Sequence, residues 1–317
     1  MKEHFVTVFD SLFLPQGIAL HYSMQRQIDS YLLWVICVDE EAYRVLKELN
    51  LPNVQPLDLR KFETPELLSV KADRTRGEYC WTLTPFAPRF VFDTDPLVSR
   101  VTYIDADIWF RRHPDLIFNE LEQAAKSVLI TDHSYAAIYD QSAVSGQYCV
   151  QFITFVRLQG ESVRKWWEGR CIEWCYARSE DGKCGDQKYL DDWPSRFRAE
   201  VHVLANKELA LGPWNASRFP YGQSVFYHFH GLRLTSERSA NIGSFMLPQV
   251  VIDNIYQPYL TDLRRAIFEL NAMGVTFRQQ AKPLGFFEKM FNRALLLRQV
   301  LNLLWSQTSL HLPDSKD

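Results

Sequence analysis

Seven consecutive apolar residues, Leu32-Leu33-Trp34-Val35-Ile36-Cys37-Val38, limit what this chain can fold into more than any other feature. The run lacks the alternation of a half-exposed strand. It reads as a strand buried on both faces, as in a parallel sheet covered by helices. The flanking sequence supplies those helices. Residues 5–10 read as a first strand ending at Asp10, residues 11–16 as a loop with Pro15, and Gly17 opens a helical stretch to about Ser30. Asp39 caps a helix over residues 40–49. Residues 53–57 form a short third strand. Strand, helix, strand, helix, strand is the alternation of an α/β fold.

The pattern continues along the chain. Residues 64 to about 92 are mostly helical, 101–104 extended, 115–126 helical and 127–131 extended. Residues 152–156 read as a strand and 162–177 as a Trp-rich helix. Late strands follow at 201–204 and 225–230. From about Gln257 the texture turns helical, which predicts a main domain over residues 1–255 and a helical extension over 256–317. In the extension, residues 286–305 make a basic amphipathic helix. It suits packing on the main domain, a homodimer contact or docking on a membrane surface.

Charge and cysteine content narrow the class. Thirty-five basic against thirty-eight acidic residues leave a net charge of -3, with no global pull toward nucleic acid. The chain shows no 18-residue uncharged apolar run and no leader-like start, so the expectation is a cytoplasmic protein. Its six cysteines are scattered. Cys171, Cys175 and Cys184 raise the question of zinc, but the spacing is loose and free thiols are the expectation.

Chemistry concentrates at four places. Asp105 and Asp107 follow the apolar segment Val101-Thr102-Tyr103-Ile104. In an extended backbone, residues two apart face the same way, so both carboxylates can meet one divalent cation at a strand end. Ligands of open α/β sheets bind at those ends. An ordinary strand end with a capping Asp is the alternative. Second, Cys184-Gly185-Asp186-Gln187 precedes a short helical segment stopped by Pro194. Asp186 either caps that segment or, with Gln187, faces a polar ligand. Third, His228 and His230 share one face of a strand before Gly231, where the backbone can approach a phosphate. Fourth, Pro213-Trp214-Asn215 offers an indole and an amide, either as a sugar platform or as core. Asp10 can accept a hydrogen bond from a base or cap its loop. Arg74 and Arg76, near Lys71, can neutralise phosphate or stay solvated. His133 is a further cleft candidate.

Taken in order, these motifs resemble a GT-A-fold nucleotide-sugar glycosyltransferase of the retaining, family-8-like group, over roughly residues 4–255. They are similar in particular to bacterial proteins with a Trp-rich helix, then Gly-Asp-Gln-Lys-Tyr-Leu-Asp-x-Trp-Pro, then Pro-Trp-Asn. The resemblance implies a Rossmann-like, mostly parallel sheet flanked by helices. It implies Mn²⁺ or Mg²⁺ as cofactor, a nucleotide-diphosphate sugar as donor with a UDP-sugar favoured, and a glycan or lipid-linked acceptor in bacterial surface polysaccharide synthesis. The basic helix over residues 286–305 fits peripheral contact with the inner membrane and a lipid-linked acceptor there. Asp105 and Asp107 then match the metal- and ribose-contacting pair. His228 matches the late metal ligand, with His230 the alternative. Asp10 matches the base contact, and Asp186 and Gln187 the pair that lines the donor sugar. Cys149 and Gln151 stand where related transferases often carry Asn and Gly. Two other readings compete: a nucleotidyltransferase that makes sugar nucleotides, and a non-catalytic nucleotide-sugar-binding module.

Overall fold

The structure is a computed structural model that describes residues 2–219 and 221–281. The apolar run is strand β2, Tyr31–Cys37, next to β1, Glu3–Phe9. The strands that follow are β3 Val54–Asp58, β4 Arg100–Ile104, β5 Ile108–Phe110, β6 Val128–Asp132 and β7 Tyr148–Val156. After them come the hairpin β8 Ser179–Glu180 and β9 Lys183–Cys184, then β10 Val201–Val203, β11 Ala210–Leu211 and β12 Phe226–His228. A last hairpin pairs β13 Arg233–Ser236 with β14 Ser239–Asn241.

A seven-stranded sheet in the order β10-β6-β7-β4-β1-β2-β3 forms the centre. β7 runs antiparallel to both its neighbours, and every other pairing is parallel. The start of β7 therefore lies at the carboxyl edge of the other six strands. Alternation along the strands explains why both faces are buried. Phe5, Phe9, Leu33 and Val35 face a core shared with the helices Leu14–Gln27, Glu40–Leu49, Asp115–Gln123 and Gln257–Ala272. Val6, Val8, Trp34 and Ile36 face the helices Arg76–Leu83 and Ala87–Thr94.

A three-stranded sheet, β11-β12-β5, extends the carboxyl edge. It pairs His228 with Ile108, and the Phe229 amide donates to the Asp107 carbonyl at 2.9 Å. That register carries a residue more than a hundred positions away to the end of β4.

Several local expectations shift. The helix after β1 starts at Leu14, not Gly17, because Pro15 is compatible with a first helical turn. Gly17 lies inside that helix, where an added Cβ would run into the Phe9 ring. The Trp-rich helix ends at Glu173, short of the expected end near Ala177. Asp186 is not a helix cap: the segment that follows is a 3-10 turn, Lys188–Asp192, whose N-cap residue is Gln187. The helix Gln257–Ala272 packs on Leu14–Gln27, with Ala19 and Ile267 in one cluster. Residues 286–305 and their expected amphipathic helix lie outside the described residues. Among the described residues, no helix is long and apolar enough to cross a membrane.

Candidate active site

Asp105 and Asp107 sit in a tight turn between β4 and β5 rather than on an extended strand. The Ile108 amide donates to the Asp105 carbonyl at 3.2 Å and closes the turn, while the Asp105 amide donates to the Gln151 carbonyl. Buried Ala106 fills the inside of the turn. Both carboxylates still reach one point, because β12 brings the His228 ring to them. His228 Nε2 lies 3.1 Å from Asp107 Oδ1 and 3.6 Å from Asp105 Oδ2. The three ligand atoms lie within 4.8 Å of one another. Two carboxylate oxygens and an imidazole nitrogen at that spacing suit a hard or borderline divalent cation.

The electrostatics fit an ion site. Burial would push the His228 imidazole toward neutrality, but the Asp107 carboxylate outweighs it and holds the ring protonated well above its usual range. Burial raises the Asp105 carboxyl, and the neighbouring Asp107 charge adds to that against the pull of His228. For Asp107, burial is outweighed by the His228 charge and hydrogen bond, and its carboxyl is held low. A proton thus stands in for positive charge among the three groups. Tyr103 donates its hydroxyl to Asp105 Oδ1 at 2.8 Å and fixes that carboxylate.

Asp186 is brought close to this cluster. It is 3% exposed, and its Oδ2 has no hydrogen-bond partner. Burial, then the charge of Asp105, push its carboxyl up to about 7. Trp167 Nε1 donates to the Asp186 carbonyl at 2.8 Å and anchors the backbone there. Gln187 is engaged: its amide nitrogen donates to the Ser145 carbonyl at 2.8 Å and its Oε1 accepts from the Val150 amide at 3.4 Å.

The remaining candidates divide. His230 is exposed and meets His228 edge-on at 5.7 Å, but it stays outside the three-residue group. Gly231 takes a φ of +79°, and nothing lies within 4 Å of where a Cβ would be. Trp214 is only 4% exposed and packs edge-on against His133 and His228. Asn215's side-chain amide ties its own loop to the loop of His133. It donates to the His133 and Ala210 carbonyls and accepts from the Gly212 amide. His133 is buried, kept neutral by that burial with its pKa lowered to about 3, and stacked on Tyr135.

At the ends of β1 and β2, Asp10 Oδ1 accepts from the Leu12 amide and its Oδ2 from Arg76 at 3.0 Å. Arg76 also reaches Asp39, which caps the helix Glu40–Leu49. Arg74, expected at phosphate, is instead built into the interior. Its guanidinium donates to the Thr82 hydroxyl and the Ile172 carbonyl and lies over the Tyr176 ring. Arg76, with its side chain 60% exposed, is the arginine at the rim.

Cys37, Cys149, Cys171 and Cys175 are buried free thiols, and Cys80 and Cys184 are half-buried ones. Among the described residues, the Asp105–Asp107–His228 group is the one cluster with metal-ligand spacing, so Cys171, Cys175 and Cys184 do not form a second. Two site residues escaped the sequence reading. Gln151 bonds His228, and Tyr103 bonds Asp105. Gln151 stood out only as a departure from a pattern, and Tyr103 as one aromatic in a strand.

No family model matches the chain. Two similar proteins come from Bacillus subtilis (strain 168). Uncharacterized protein YfnD is 29% identical over 289 residues, covering 85% of this chain and 91% of YfnD. Uncharacterized protein YfnF is 29% identical over 254 residues, covering 74% of this chain and 84% of YfnF. Among solved structures, the WbbM bifunctional glycosyltransferase superposes with a TM-score of 0.52 at 14% identity, covering 87% of this chain and 52% of WbbM. The galactosyltransferase LgtC, in complex with donor and acceptor sugar analogs, gives 0.51 at 12% identity, covering 83% of this chain and 95% of LgtC. GlyE of Streptococcus pneumoniae TIGR4 gives 0.50 at 12% identity, covering 89% of this chain and 66% of GlyE. The fold is that of the GT-A glycosyltransferases: a mixed, mostly parallel sheet flanked by helices, with a C-terminal helix.

Proposed function

We propose that this protein is a metal-dependent glycosyltransferase that moves a sugar from a nucleotide-diphosphate sugar to a glycan or lipid-linked acceptor. One observation carries the reading: in a GT-A fold, Asp105, Asp107 and His228 converge at the carboxyl end of β4. Those three side chains would hold Mn²⁺ or Mg²⁺. Bound there, the cation would supply positive charge for the diphosphate as the glycosyl bond breaks.

The chain's own groups divide the remaining work. Asp10 stands at the end of β1, where a carboxylate can accept the N–H of a pyrimidine base, which favours a UDP-sugar. Arg76, its present partner, is exposed enough to leave. The open backbone at Gly231 gives a diphosphate room beside His228. Asp186 offers a buried carboxylate oxygen that lacks a donor, and a sugar hydroxyl would satisfy it. That carboxylate, with the Gln187 amide next to it, would also stabilise positive charge developing on the anomeric carbon. We favour retention of configuration on the motif resemblance, and product NMR decides it. Synthesis of a bacterial surface polysaccharide, in the cytoplasm and beside the inner membrane, rests on the same resemblance. A role for residues 286–305 in membrane contact belongs to segments outside the described residues.

A thermal-shift screen of nucleoside diphosphates and their sugars, with and without Mn²⁺, tests the proposal. A ligand at one hundred times its Kd adds about 2.7 kcal/mol to the native state, which a melt resolves readily. We expect a shift for a uridine diphosphate only when metal is present, and none in Asp107→Ala. An unchanged response in that variant removes the assignment. Release of pyrophosphate in place of nucleoside diphosphate would point to nucleotidyl transfer instead.

A further inference from the structure

We infer that Gln151 is a positioning residue for His228, fixing which imidazole nitrogen faces the two carboxylates; the inference rests on the metal-dependent reading above. Gln151 lies in β7 and is 0% exposed. A buried amide is costly unless both its ends are paired, and both ends of this one are. Its Oε1 lies 3.0 Å from His228 Nδ1, and its Nε2 lies 3.3 Å from Thr131 Oγ1. The Thr131 hydroxyl lies 3.4 Å from the Cys149 carbonyl.

The direction of this chain follows from its last member. A carbonyl can only accept, so Thr131 donates to Cys149 and keeps its lone pairs for the Gln151 amide. Gln151 Oε1 is then left to accept, and His228 Nδ1 must carry the hydrogen. Nε2 is thereby the nitrogen directed at Asp105 and Asp107, where a cation would need its lone pair. Partners that hold the far nitrogen of a ligating histidine fix its tautomer and ring orientation. The backbone prepares the contact. Pairing between β6 and β7 passes from Leu129–Thr154 to Thr131–Cys149, so β7 carries extra residues at this point. Such irregularities re-aim side chains. The Cys149 thiol also lies against the His228 ring and is the rival partner.

Two measurements on the full chain test the inference. ¹⁵N-histidine NMR, in metal-free and Mg²⁺-loaded protein, reads whether the His228 Nδ1–H is protected from exchange. Mn²⁺ titration by calorimetry reads the grip of the site. We expect Gln151→Leu, checked as folded by circular dichroism, to lose the protected Nδ1–H and to bind Mn²⁺ about 10- to 100-fold more weakly. Gln151→Glu, which keeps an acceptor, should restore both, and Cys149→Ala should leave both in place. Native affinity and a native Nδ1–H in Gln151→Leu would overturn the inference, and so would their loss in Cys149→Ala alone. If the native protein binds no Mn²⁺ at all, the metal reading falls and this one with it. Equal binding by native protein and Gln151→Leu sinks this one alone.

Discussion

At the scale of single residues, Asp186 shows the tension between site and stability. Its carboxyl is pushed up to about 7 by burial and by the Asp105 charge, from an ordinary 3.8. A carboxyl raised on folding contributes stability that is full below the unfolded value and is lost as pH rises through the folded one. Between about pH 4 and pH 7 the native state therefore takes on a growing penalty from this group, which levels off above pH 7. Asp186→Asn removes the charge. Metal-free, that variant should be more stable than native protein at pH 8 by urea midpoint, with the gap closing toward pH 4. Its kcat should fall about 100-fold, as when one charge-stabilising group is lost. A variant less stable than native at pH 8 contradicts the account.

The same scale shows what the sequence made legible. The Asp105–Asp107 pair and His228 could be picked out because their types and order are informative in one dimension. Arg74 and Arg76 could not be told apart that way. Thr75 and Glu78 form a capping box that starts a helix at Arg76. Arg76 thereby joins the Asp10 rim, and Arg74 turns inward toward Thr82 and Ile172. Gln151 was visible only as an oddity, because its partner on β12 is set by tertiary register.

At the scale of elements, long segments were the readable ones. β2 and the helix Glu40–Leu49 carry an apolar run and an Asp39 cap, which together name their own type. β5, β11 and β12 are two or three residues long, too short to show a period. Yet those strands deliver His228. The helix Glu161–Glu173 has a similar hidden task. Trp167 is buried in the core at 0% exposed, and its indole N–H also holds the backbone of Asp186. Trp167→Phe keeps most of the packing and leaves that carbonyl unpaired. We expect a loss of about 1–3 kcal/mol in stability. Activity should fall further than Mn²⁺ affinity, since none of Asp105, Asp107 and His228 lies on this helix. Calorimetric titration beside a kinetic assay checks the split, and equal losses in both would refute it.

At the scale of the whole molecule, the helix Gln257–Ala272 shares the core of the sheet. Tyr259, Leu263 and Ile267 cover Tyr227, Phe229 and Ala19. Asp262 accepts from Arg26 and from the Trp109 indole, the latter at 2.7 Å, and so ties this helix to Leu14–Gln27 and β5. Buried side chains of this size contribute about 1.5–3 kcal/mol each. A chain cut after residue 255 should therefore aggregate on expression or melt far below the full chain. A soluble, cooperatively melting 1–255 fragment would show that the helix is dispensable. The composition signalled that the texture changes near Gln257 but not that the new segment closes the old core, because helical periodicity carries no address.

The reversed direction of β7 has an evolutionary corollary. Its leading residues, and the turn before them, abut the cleft from one strand, while the acidic turn arrives from the strand beside it. Gln151 of β7 holds the His228 ring, and its carbonyl takes the Asp105 amide, so a substitution early in β7 is felt in the acidic turn as well. Proteins of this architecture are therefore constrained to change these two neighbouring strands together.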